Sequence, residues 1–187
     1  YGREMEILTV IGNKDGEIIC LNNLGGTYVA LGRFTEAETQ LKRAIELSQN
    51  QSSFVLPESV RFLGEARLGQ GRTGEAERDA LRALEIAAKE NDSEVAGPAW
   101  RLLGMIAAKG HPVKSPDGKT LGAVECFMKS CEILSAIGAN GEKARTLRTW
   151  ACCERTAGNR EKADELLVQA RDIFRELNLS LEVERCG

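Results

Sequence analysis

A shift of 39 residues lays LGGTYVALGRFTEAETQLKRAIEL, residues 24–47, over LGEARLGQGRTGEAERDALRALEI, residues 63–86. Leu-Gly, Gly-Arg, Glu-Ala-Glu, Arg-Ala and a further Glu fall in register. A chain that repeats at this spacing folds by stacking similar units on their neighbours, because each unit alone cannot bury its apolar face.

Breaker residues mark the internal layout of each copy. Gly32, Gly71, Gly110 and Gly158 each follow a stretch of helical period and precede a second stretch built around Ala37, Ala76, Ala123 or Ala163. In the first copy Leu21, Leu24, Tyr28 and Leu31 recur at steps of three and four, one face of a helix, and Ala37, Leu41, Ala44 and Ile45 repeat the pattern after the turn. A third copy runs AWRLLGMIAAKG then AVECFMKSCEIL, and a fourth runs LRTWACCERTAGNREKADELLVQARDIF.

Residues 69–74, GQGRTG, spell G-x-G-x-x-G, the glycine pattern of a dinucleotide site. That pattern works only at a strand-to-helix turn, where the pyrophosphate rests on a helix N-terminus. Here the preceding ESVRFLGEARLGQ is helical, and the repeat aligns GQGRTG with ALGRFT. Gly71 is therefore read as the left-handed residue that ends a helix, with Gly69 and Gly74 loosening the turn. No cofactor is expected.

A large apolar residue, Leu-Gly, an aromatic or small residue four positions after the Leu, a glycine turn, then Ala, a large apolar residue and another Ala together resemble the tetratricopeptide repeat. The resemblance covers essentially the whole chain. It departs from the pattern at Arg67, where the first copy has Tyr28, and at Ala151, where glycine is expected. It implies an all-α, right-handed superhelical solenoid of antiparallel helix pairs. The expected division of the single array, 1–187, is a half repeat at 1–12 and repeats at 18–50, 57–91, 97–138 and 144–177, with the start of a further repeat at 179–187. The third copy carries about seven extra residues, and the segment 111–122, with two prolines and an Asp-Gly turn signal, is read as a surface loop. The chain begins at Tyr1 and both ends cut through repeats, which reads as a segment of a longer array. Its period, nearer 40 residues than the roughly 34 usual in the family, is similar to that of arrays in large bacterial regulators.

Composition narrows the function. A net charge of −3 and a pI near 5.5 argue against general affinity for nucleic acid or anionic membrane. No stretch has the length of a membrane span. Cys20, Cys126, Cys131, Cys152, Cys153 and Cys186 contain no C-x-x-C pair, so they read as buried small hydrophobes of a reducing cytoplasm. His111 alone makes no ligand set, and no nucleophile with a base or carboxylate pair is apparent, so neither a metal nor catalysis is expected.

What remains is a surface. Asn22, Arg61, Arg101 and Arg148 stand two residues before the Leu-Gly landmark or its equivalent, on the stripe that the resemblance assigns to the concave groove. Arg61 is expected to pair with Glu65 one turn on. Arg101 is followed on the stripe by Met105, and Arg148 by Cys152 and Arg155, with Arg145 one turn earlier. Asn23 falls where carboxylate-clamping members of the family place an asparagine, but their lysines are missing. The groove set is thus Asn22, Asn23, Arg61, Arg101, Met105, Arg145, Arg148, Cys152 and Arg155. Arginine's planar donors suit a carboxylate, so the expected function is a non-catalytic scaffold or regulatory module that binds an acidic or extended peptide segment. The solvated-face alternative has these arginines paired with acids of neighbouring helices. A sensor domain of a bacterial signalling regulator is the second expectation, and self-association through the apolar ends, Met5, Ile7 and Leu8 against Leu179, Leu181 and Val183, is a further one.

Overall fold

The computed structural model describes residues 13–49, 54–115 and 117–186, so the half repeat expected at 1–12, with Met5, Ile7 and Leu8, lies outside the described residues. Among the described residues there are nine helices: α1 (Lys14–Ala30), α2 (Phe34–Gln49), α3 (Leu56–Gly69), α4 (Thr73–Glu90), α5 (Ser93–Ala108), α6 (Ala123–Ala136), α7 (Asn140–Thr156), α8 (Arg160–Glu176) and α9 (Ser180–Glu184). Two short strands, β1 (Val113–Lys114) and β2 (Thr120–Leu121), pair antiparallel between α5 and α6. The chain forms two compact units, Tyr1–Ile86 and Ala87–Gly187.

Within the first unit α1 packs on α2, α2 on α3, and α1 on α3. Within the second, α5 packs on α6 and α7, α6 on α7, α7 on α8, and α8 on α9. Within the first unit α1 and α3, and within the second α5 and α7, are first helices stacked on the next first helix. This is the packing of an all-α solenoid of antiparallel helix pairs.

The helix ends explain why the turns are so short. At Gly71 the chain takes φ 79°, the Gly71 N–H donates to the Leu68 carbonyl, and the Arg72 N–H reaches back to the Arg67 carbonyl at 2.9 Å. This paired return satisfies carbonyls that the helix leaves open. The same pair of bonds recurs at Gly32, Gly138, Gly158 and Asn178. A left-handed φ costs an L side chain strain, so Gly71→Ala is expected to lose about 1 kcal/mol. The check is a lower urea midpoint at unchanged slope.

Gly69 has a different task from the one its sequence suggests. A Cβ there would lie 2.4 Å from the Phe34 ring, so Gly69 is the notch into which α2 sets its first side chain, and not a loosened turn. Gly74 meets nothing within 4 Å. Similar notches seat Leu41 on Gly25, Leu134 on Gly97 and Phe127 on Gly104, all at 2.8 Å or less.

A further expectation is corrected by burial. The buried side of α1 is Ile18, Cys20, Leu21, Asn22 and Gly25, whereas Leu31 is 64% exposed because the helix stops at Ala30 and Leu31 turns outward as its cap. The 111–122 segment holds the β1–β2 hairpin, and most of its described residues are exposed. Val113 is fully buried, and the Ser115 hydroxyl and amide close the turn by accepting from and donating to Lys119 while Ser115 also bonds Asp117. Gly118, at φ 83°, supplies the turn between the strands.

Candidate functional site

The predicted groove residues fall into two separate clusters, one in each unit. In the first unit Asn22 is only 1% exposed, and its amide donates to Glu58 at 2.8 Å while its oxygen accepts from the Ser59 hydroxyl. It joins α1 to α3 and offers nothing to an outside ligand. Asn23 beside it is exposed. Arg61, at 5% exposure, pairs with Glu65 at 2.5 Å as its spacing foretold, lies 3.6 Å from Glu58, and stacks over Phe62. One arginine here meets two carboxylates, Glu58 and Glu65, so this cluster carries surplus negative charge.

The second unit is the reverse. Arg101 on α5 donates to Glu142 at 2.9 Å, across 41 residues of sequence, because α5 and α7 stack side by side. Arg145 pairs with the same Glu142 and stands 3.6 Å from Glu182 on α9. Arg148 bonds Glu182 and lies over the Phe174 ring, and Arg185 approaches Glu182 at 3.7 Å. Four arginines therefore share two carboxylates. Burial opposes ionisation of both glutamates, yet the surrounding arginines hold their carboxyls below the usual range.

Exposure grades these arginines. The side chains of Arg101 and Arg148 are 12% and 22% exposed, whereas Arg145 is 43% and Arg155 55%. Arg155 has a loose partner, Asp164 at 3.7 Å. Met105 packs against the Phe127–Trp150 cluster, and Cys152 is exposed on the same face of α7, between Arg148 one turn before and Arg155 one turn after. The other cysteines are buried or half-buried, and burial pushes the Cys126 and Cys153 thiols up to about 11. Glu142 and Glu182, which decide the electrostatics, carry no motif. Their one signal is position: each is an acid in the first turn of its helix, as is Glu58.

The GQGRTG turn holds a third set of charges. Arg67 grips Asp79 with bonds of 2.9 and 2.7 Å, and Arg72 binds Glu75 and reaches Glu38 at 2.7 Å. These bonds tie α2, α3 and α4 together, so the arginine of the turn is used for packing. Among the described residues no three His, Cys, Asp or Glu side chains gather as a metal site, and no helix is long and apolar enough to cross a membrane.

Helix pairs with glycine-closed turns and first helices stacked on first helices set the frame for comparison. Residues 18–50 match the tetratricopeptide repeat family. The chain carries a tetratricopeptide repeat. The solenoid is also similar to two solved structures. One is a signal-transduction ATPase with numerous domains and a tetratricopeptide repeat sensor, from Pyrococcus horikoshii, at TM-score 0.62 and 18% identity over 92% of this chain. The chain spans 26% of that protein's length. The other is BtubC from P. vanneervenii, at TM-score 0.63 and 13% identity, covering 99% of this chain and 84% of that one. At these identities the likeness is one of fold. No curated protein matches the sequence. Tetratricopeptide repeats generally mediate protein–protein interaction.

Proposed function

We propose that the tetratricopeptide array is a non-catalytic regulatory scaffold whose second unit binds an acidic protein segment along α7. The observation that carries this reading is the charge imbalance: among the described residues, Arg101, Arg145, Arg148 and Arg185 share Glu142 and Glu182 between them. A carboxylate arriving at Arg145 or Arg155 meets donors that are exposed enough to reach and incompletely neutralised. Arg101 and Arg148 hold the helices in place behind them. Met105 and Cys152 add an uncharged surface beside the cations.

The test uses a fluorescent hexaglutamate peptide at low ionic strength. The parent chain is expected to bind it, with affinity falling as salt rises. The double variant Arg145→Ser with Arg155→Ser should weaken binding about tenfold, roughly 1.4 kcal/mol, with little change in melting temperature because exposed pairs contribute little to stability. Equal binding by the two proteins, or none by the parent, would remove the reading.

A second reading rests on the likeness to an ATPase with a tetratricopeptide repeat sensor. In it the same arginine face receives an effector or a neighbouring domain of a signalling regulator. A melting temperature raised by small dianions such as succinate, and unaffected by hexaglutamate, would favour it.

A further inference from the structure

Glu142 of α7 is claimed by two arginines of unequal exposure. Arg101 of α5 donates to one oxygen of its carboxylate at 2.9 Å, and Arg145, on α7 itself, donates to the other. The Arg101 side chain is 12% exposed, whereas that of Arg145 is 43% exposed and open to an incoming ligand. Arg101 is also backed by a buried polar line. Its guanidinium lies 3.4 Å from the Glu142 carbonyl and 3.5 Å from the Thr146 hydroxyl. Thr146 is fully buried, and its hydroxyl donates to the Glu142 carbonyl at 3.1 Å and meets the Ser130 hydroxyl at 3.0 Å. The outer arginine has its second carboxylate, Glu182, only at 3.6 Å.

This unequal sharing decides how easily Arg145 can change partners. A partner carboxylate that takes Arg145 must displace Glu142, and a half-buried carboxylate left without a cation is costly. Glu142 is not left so, because Arg101 keeps its other oxygen. We infer that Arg101 is a positioning residue for acidic-segment binding: by retaining Glu142 it frees Arg145 to exchange Glu142 for a carboxylate of the partner. Glu142 is then the internal competitor that the partner displaces. This rests on the proposed binding of an acidic segment and specifies how that site is controlled. The buried arginine acts through Glu142 and touches no ligand itself.

The experiment measures fluorescent hexaglutamate binding by four full chains: the parent, Arg101→Met, Glu142→Gln and the double variant, with the melting temperature followed in each. Glu142→Gln is expected to tighten binding about threefold or more, because Arg145 is then available in a larger fraction of the chains. Arg101→Met is expected to weaken binding about tenfold in the parent, and no more than about twofold in the Glu142→Gln background, a coupling that two independent charges would not show. An equal loss in both backgrounds would overturn the inference, as would unchanged or weaker binding by Glu142→Gln, while hexaglutamate binding by the parent would still stand. No binding by the parent removes that reading and this one together. A second measurement covers an Arg101→Met chain that does not fold. In the parent, saturating hexaglutamate should shift the side-chain NMR signals of Arg145 and leave the guanidinium hydrogens of Arg101 as slow to exchange as before. Faster exchange at Arg101, or unshifted Arg145 signals, contradicts the inference.

Discussion

Phe127→Ala is expected to remove about 3–5 kcal/mol of stability, the range for truncating a buried aromatic. Phe127 is fully buried on α6, its ring lies 5.7 Å from that of Trp150 in a stacked pair, and it fills the notch over Gly104. Truncation therefore empties three contacts at once: the one to α5, the one to α7, and the surrounding cluster with Leu147, Leu166 and Phe174. Urea unfolding followed by circular dichroism measures the loss. Met128, next in sequence but 58% exposed, supplies the control, and Met128→Ala should change stability by less than about 0.5 kcal/mol. A small effect at Phe127 would mean that the second unit is not held at this cluster.

Acid should also destabilise the protein, with Glu38 as the main cause. Burial raises the pKa of this carboxyl, but bonds from Lys42, Gln70 and Arg72 more than offset that and bring it down to about 2. A carboxyl lowered in the folded state contributes stability that is present above its unfolded value, near 4.5, and is lost as pH falls toward 2. Glu142 and Glu182, also lowered, act in the same direction. Asp79 acts in the opposite one, since burial outweighs Arg67 and raises it; its contribution is present at low pH and is lost as pH rises through the folded value. The net expectation is a urea midpoint that falls between pH 5 and pH 2.5 or so, and falls less in Glu38→Gln. A flat profile over that window would contradict the bonded role of Glu38.

Sequence reading succeeded where cause and effect are close in the chain. The left-handed turn at Gly71 follows from a helix end and a glycine next to each other, and the Arg61–Glu65 pair follows from one helical turn. It failed where the partner is a repeat away. The alternative that Arg101 and Arg148 pair with acids of neighbouring helices could not name Glu142 and Glu182, which lie 41 and 34 residues on and become neighbours only when first helices stack. For the same reason Asn22 read as an open groove residue although α3 covers it, and Gly69 read as turn slack although Phe34 fills its place. The 111–122 segment carried turn signals that were read correctly, but nothing local marked Val113 as an anchor in the core.

The glycine notches bear on how such a chain can be cut and rejoined. Phe34 needs Gly69, Leu41 needs Gly25, Phe127 needs Gly104 and Leu134 needs Gly97, each pairing one oversized side chain with one vacancy. Three of these pairs lie inside one copy and would travel with it, whereas Phe34 and Gly69 belong to neighbouring copies. Separating those two copies would set the Phe34 ring against a filled position or leave the Gly69 notch empty, at the cost of overpacking or of a void. At that junction the order of copies is keyed by shape, and engineered shuffling there would have to move bulge and vacancy together.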